Sequence, residues 1–165
     1  MLQEQTGRLS HLAEILLDMT GVQTVERSER ISLAALTDEV FCDLASVAEQ
    51  KEVELIQQEG DCIITGSYLL LYRAVYNLVE NAIKYNHSGG KVTVNIHPSE
   101  EITDTSTSVN YVFLEVSDTG IGIPPEYQEK IFAPFFRVDK SRSRAMGGAG
   151  LGLALVAEIA RQHGG

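Results

Sequence analysis

The chain has 165 residues, 44% of them hydrophobic, with 23 acidic and 13 basic side chains and a formal charge of −10. That acid excess argues against a nucleic-acid partner, because phosphates select basic surfaces, and no apolar run approaches the roughly 20 residues of a membrane-crossing helix. Cys42 and Cys62 lie too far apart for a zinc or redox motif and read as reduced thiols in a cytoplasmic setting, and no structural metal is implied.

Met1 to Gly21 has helical periodicity, with Leu2, Leu9, Leu12, Leu16 and Met19 at heptad positions that form a seam for another helix. Val22 to Ser28 reads as a polar linker, so the expected organisation is a helical stub (residues 1–28) and one domain (29–165). Arg30 to Leu33 reads as a short strand, and Ala35 to Gln50 as an amphipathic helix with Leu36, Val40, Leu44 and Val47 on its buried face. Val53 to Gln57 and Asp61 to Thr65 read as strands on either side of Glu59-Gly60. Ser67 caps a helix over Tyr68 to Tyr85, whose broad apolar stripe runs through Leu70, Leu71, Ala74, Val75, Leu78, Val79, Ala82 and Ile83. Lys91 to His97 alternates with Val92, Val94 and Ile96 inward and pairs with Val109 to Ser117 across a polar insertion, Pro98 to Ser108. A last helix carries Leu151, Leu155, Val156 and Ile159 at helical spacing. Helices on one face of a mixed sheet make the fold α+β, a two-layer sandwich.

Four segments carry chemistry. Asn77 and Asn81 are four apart on one helix face. Asn is a mediocre helix former, so the pair needs a reason. A hard cation takes oxygen ligands, which an amide carbonyl supplies. Lys84 can place its ammonium on a phosphate, and Tyr85 offers a flat face; either Asn alone reads better as a helix-surface polar residue. Asp118 ends a strand before Gly120, Gly122, Ile123 and Pro124, where a carboxylate can accept from an exocyclic amine such as adenine's or simply make a turn. Phe132, Phe135 and Phe136 supply an aromatic anchor.

The run Gly147-Gly148-Ala149-Gly150-Leu151-Gly152-Leu153 is not a Walker loop, since Leu153 and Ala154 stand where Lys and a hydroxyl are required. It is not a dinucleotide fingerprint either, since Leu153 replaces the third glycine. What remains is a glycine-rich loop opening a helix, whose unpaired N–H groups suit a polyphosphate or merely lead into a packed helix.

In order and spacing these segments resemble the N, G1, F and G2 boxes of the catalytic and ATP-binding domain of sensor histidine kinases, within the superfamily of gyrase, heat-shock chaperone, histidine kinase and MutL ATPases. The resemblance spans Gln3 to Gly165. It implies that Asn81 holds Mg²⁺ with support from Asn77, that Lys84 touches phosphate, that Tyr85 flanks the nucleotide and that Asp118 binds the adenine amine. Gly120, Gly122 and Ile123 then shape the base pocket, while Gly148, Gly150, Leu151 and Gly152 form the lid. Arg137, and Arg142 in the basic segment Arg137 to Arg144, contact phosphates or the incoming acceptor. Ala149 departs from the Thr or Ser usual in the fourth box, which removes at most one phosphate hydrogen bond.

The ATPase branches resembling this chain carry a Glu where Asn77 stands. A carboxamide accepts no proton at neutral pH, so a water-activating base is missing and transfer to an external nucleophile is favoured over hydrolysis. Glu80 neighbours Asn81 but lies about 100° around the helix. His11, His87, His97 and His163 all lack the sequence context of a phosphoacceptor. The expected acceptor is therefore a histidine on a dimerisation helix of the same or a partner kinase chain, with relay to a response-regulator aspartate. The full-length protein is expected to be a homodimer and a membrane-bound sensor of which this is a cytoplasmic domain. Gly164-Gly165 resembles the family's turn into further strands, so the sheet is expected to be incomplete at its C-terminal strands or capped by another copy. A nucleotide-binding module without phosphotransfer and a slow ATPase are the alternatives.

Overall fold

Residues 26–99, 111–138 and 150–165 are described by the computed structural model. The expected first helix, most of the Pro98 to Ser108 insertion, Gly147 to Ala149 and Arg142 lie outside them. Among the described residues, five strands and four helices follow one another: β1 Glu29–Ser32, α1 Leu33–Gln50, β2 Glu54–Gln57, β3 Ile63–Gly66, α2 Tyr68–Lys84, β4 Lys91–Pro98, β5 Val112–Asp118, α3 Pro125–Gln128 and α4 Gly152–Gln162.

The strands form a mixed sheet in the order β2-β4-β5 and a separate two-stranded ribbon, β1-β3. β2 runs parallel to β4, with Leu55 opposite Val92, and β4 runs antiparallel to β5, with Val94 opposite Val116. β2 and β3, adjacent in sequence, do not pair; β3 instead pairs antiparallel with β1, Arg30 opposite Thr65. A parallel pair needs a long crossover, and β3 with α2 lies within the one that joins β2 to β4.

β3 also begins two residues later than the sequence pattern indicates, because Asp61 is engaged elsewhere. Its carboxylate accepts from Ala34 N–H (3.0 Å) and the Ser32 hydroxyl (2.8 Å) at the start of α1, while Ser32 Oγ accepts from Ala35 N–H (3.1 Å). Those hydrogen bonds, Ala34 first, lower the Asp61 pKa, and a carboxylate at a helix N-terminus meets the positive end of its dipole.

The alternation in β4 buries Val92, Val94 and Ile96 under α1 and α2. α1 contributes Leu36, Val40 and Leu44 as expected, but Val47 is 45% exposed. The four-residue row through Leu36, Val40 and Leu44 reaches Ala48 at the last turn rather than Val47, and Leu33 and Thr37 are buried on the neighbouring row. Along the outer seam between the helices, Tyr68 and Tyr72 donate their hydroxyls to Glu39 and Asp43. The hydrogen bond to Glu39 pushes the Tyr68 pKa up to about 12.

The breadth of the α2 stripe has a structural cause. Val75, Val79, Ala82 and Ile83 join the main core, whereas Leu70 and Ala74 form a second cluster with Leu155, Val156 and Ile159 of α4. His163 locks the far end of that pair: its Nε2 accepts from Ser67 N–H (3.1 Å), its Nδ1 faces the Ile159 carbonyl (2.8 Å), and its ring sits where a Gly66 side chain would be. His163 is thus a structural histidine.

Leu44→Ala should destabilise the chain by about 2–5 kcal/mol, whereas Val47→Ala should change it by less than about 0.5 kcal/mol. Urea unfolding of the two variants measures the difference.

Candidate nucleotide site

Two of the other chemical segments reach the C-terminal half of α2: the turn after Asp118 meets Tyr85, and Gly152 meets Asn77. Asn77 and Asn81 are half-buried, and Glu80 is exposed, as its position around the helix requires. Asn77 Nδ2 donates to the Arg73 carbonyl (2.8 Å), which directs its Oδ1 toward α4. A Cβ on Gly152 would stand 2.7 Å from that oxygen, so the first residue of α4 approaches the Asn77 amide as only glycine can.

Helix α2 ends at Tyr85, which takes a non-helical C-cap conformation. Lys84 Nζ lies 5.6 Å from the Tyr85 ring centroid, a cation–π arrangement that keeps the ammonium beside the flat face. The Tyr85 carbonyl accepts from Ile121 N–H (3.1 Å), and a Cβ on Gly120 would stand 2.5 Å from it. Asp118, at the end of β5, is exposed and accepts from Gly120 N–H on Oδ1 (2.8 Å), leaving its other oxygen for an outside donor. Gly122 has φ +69° with open space at its Cβ position, and Ile123 is 41% exposed beside it.

The remaining segment is anchored through Gly150. Its carbonyl accepts from Phe135 N–H (2.8 Å), and at φ +76° it leaves no room for a Cβ, which would sit 2.9 Å from the Phe136 carbonyl and 3.1 Å from Arg137 Cγ. Arg137 carries a feature that calls for a ligand: Nε and Nη2 are buried without a hydrogen-bond partner among the described residues. A buried charged donor left unpaired is costly. Among the described residues Phe136 packs its ring 5.8 Å from Tyr127, while Phe132 and Phe135 stand exposed. Leu151 is fully buried at the mouth of α4. Gly148 lies outside the described residues.

Sequence reasoning missed two side chains at this junction. Asn86, only 7% exposed, hydrogen-bonds to three chain segments, and Lys51 Nζ donates to the carbonyls of Lys84 (2.6 Å) and Asn86 (3.3 Å). The Asn86-His87-Ser88-Gly89-Gly90 turn was a signal for the first, whereas nothing local marks the second.

Residues 66–165 match the family model described as histidine kinase-, DNA gyrase B-, and HSP90-like ATPase, and the chain belongs to that family of ATP-binding domains. Across 99% of its length it is 36% identical to the sensor histidine kinase RppB of Synechocystis sp., and across 99% it is 32% identical to the sensor histidine kinase WalK of Bacillus subtilis. It spans 35% and 26% of those relatives' own lengths. Among solved structures, the mycobacterial sensor histidine kinase MprB superposes with a TM-score of 0.65 at 28% identity, over 83% of this chain and 80% of that one. Sensor histidine kinases are thus the relatives these comparisons bring forward.

Gly120→Ala should cost about 1–3 kcal/mol, because the methyl group must displace the Tyr85 carbonyl. Amide exchange at Ile121 should lose its protection in that variant, which NMR hydrogen exchange measures directly.

Proposed function

We propose that this chain is the catalytic part of a sensor histidine kinase, which moves the γ-phosphoryl group of Mg-ATP to a histidine on a dimerisation helix. The P–O bond to the β-phosphate breaks, a P–N bond to the imidazole forms, ADP leaves, and the imidazole N–H proton passes to water. Relay to a response-regulator aspartate follows. Residues 1–28 are then the end of the dimerisation helix and its linker, and the domain lies on the cytoplasmic side of a sensor.

Nε and Nη2 of Arg137, buried without a hydrogen-bond partner among the described residues, carry the reading. Oxygens of a transferring phosphoryl group satisfy a buried guanidinium and offset its charge, and Arg suits this role through its fixed fork of donors. Arg137 meets Gly150, and Gly152 meets Asn77; in this reading Lys84 and the glycine segment, Gly148 to Gly152, are the residues that would contact the triphosphate. Asn81 would supply an amide oxygen to Mg²⁺, a hard cation that suits oxygen donors and few protein ligands. The cation, when bound, neutralises charge on the leaving phosphates. Tyr85 flanks the base, and the free oxygen of Asp118 accepts from the adenine amine between Gly120, Gly122 and Ile123. Asn77 cannot act as a base toward water, so the acceptor must bring its own nucleophile.

Incubation of the chain with Mg-ATP and a separate acceptor-helix dimer should yield acid-labile phosphohistidine on the dimer. Tight nucleotide binding with no transferred phosphate would overturn the kinase assignment, and steady ATP hydrolysis without acceptor would place the chain with the ATPases. In calorimetric titrations, Asn81→Ala should remove the gain in ATP affinity that Mg²⁺ gives the parent chain, and Asp118→Ala should erase preference for adenine over guanine.

A further inference from the structure

Asn86 stands just outside every segment that carries chemistry, yet it is one of only three buried polar side chains among the described residues. Its hydrogen bonds admit a single amide orientation. Oδ1 accepts from His87 N–H (3.0 Å) and from the Thr119 hydroxyl (3.1 Å), while Nδ2 donates to the Lys91 carbonyl (3.0 Å). Thr119 closes the ring, since its Oγ1 accepts from Lys91 N–H (2.9 Å) and its N–H donates to the Lys91 carbonyl (3.1 Å). A Gly90 side chain would occupy the space of the Asn86 amide.

This ring ties three elements together at one point: the residue after the α2 cap, the first residue of β4, and the residue after Asp118. On one side of Asn86 lies Tyr85, and on the other side of Thr119 lies Gly120, whose N–H holds Asp118 Oδ1. The Tyr85 carbonyl and Ile121 N–H add a second tie across the same junction (3.1 Å). Lys51 anchors the whole from below by capping the carbonyls of Lys84 and Asn86. A carboxylate distinguishes a base by direction as much as by charge, because the donor must lie along its lone pairs. With Asp118 exposed on a turn, its direction is set by whatever fixes that turn.

We propose that Asn86, acting through Thr119, is the positioning residue for base selection: it holds the Asp118 turn at a set distance from Tyr85, and thereby decides adenine over guanine. The inference rests on the nucleotide reading above and adds a residue to it that touches no ligand. Only the Asn86 amide of this ring is buried, so a bond that it fails to make leaves a buried polar atom without a partner.

The test is the ratio of GDP to ADP dissociation constants, measured by calorimetry on the full chain. Two near-isosteric variants are compared: Asn86→Asp, which sets an oxygen against the Lys91 carbonyl, and Thr119→Val, which removes the hydroxyl link. Each should lower the preference for ADP about fivefold to tenfold, the effect of one lost hydrogen bond. In an Asp118→Ala background neither should change the ratio further, because both act through that carboxylate. An unchanged ratio in Thr119→Val, or an equal drop with and without Asp118, overturns the inference, and Thr119→Val decides alone if Asn86→Asp does not fold. A parent chain that binds ADP and GDP alike, or an Asp118→Ala chain that keeps full preference, sinks the site reading and this inference together. Loss of preference in Asp118→Ala but not in Thr119→Val sinks only this inference.

Discussion

Burial of α2 on two sides is the constraint on which the site depends. Val79 and Ile83 are fully buried toward the sheet and α1, and Leu70 and Ala74 are buried toward α4. Each fully buried aliphatic side chain contributes about 1.5–3 kcal/mol, so a helix clamped on two sides cannot turn without exposing one apolar row or the other. The sector that faces α4 continues along the same row through Asn77 and Asn81, where Gly152 begins α4. Their direction is therefore set by hydrophobic packing, and the polar face follows. Glu80 lies outside that sector, exposed, one residue and about 100° away from Asn81.

A second consequence of that clamp is the fixed end of the helix. The α2 C-cap meets the end of β5 where Tyr85 accepts from Ile121, and the Lys51 ammonium covers carbonyls that helix termination leaves without intrahelical partners. A basic residue at that spot meets the negative end of the dipole. In a chain of net charge −10, Lys51 and Lys84 gather at this end of α2, while Tyr68 and Tyr72 engage Glu39 and Asp43 along the outer seam and Arg161 engages Glu158. Local arrangement, and not the overall charge, sets the electrostatics of this junction.

Periodicity made most of the elements legible. The alternation of Val92, Val94 and Ile96 has one solution, and the row through Leu36, Val40 and Leu44 needs only a choice at its last turn, where Ala48 wins over Val47. Pairing was less legible. Nothing in Glu54 to Gly66 tells a hairpin from two strands that separate, because the decision lies with β1 and β4, distant in sequence. Asp61 illustrates the same limit: its residue type fits a strand end or a cap, and only the approach of Ser32 and Ala34 selects the cap. The glycines were legible as a group but not in their reasons. Gly152 makes room for an amide, Gly120 for a carbonyl, and Gly150 adopts a left-handed conformation against Phe135 and Phe136. The turn at Asn86 is legible, but its partners come from β4 and from the turn after β5, neither of which its local sequence indicates.

Asn77 shows how local packing and phosphoryl chemistry agree. Its Nδ2 donates to the Arg73 carbonyl one turn earlier, and its Oδ1 lies beneath Gly152. A glutamate there has no proton to donate at neutral pH, and its longer side chain would have to pass the start of α4 to find room. The packing that seats α4 against α2 therefore prefers the residue that cannot serve as a base. In the proposed reading this makes the absence of hydrolysis a property of the α2–α4 contact as well as of one missing carboxylate: replacing the amide alone supplies a base only where Gly152 and the start of α4 can move aside.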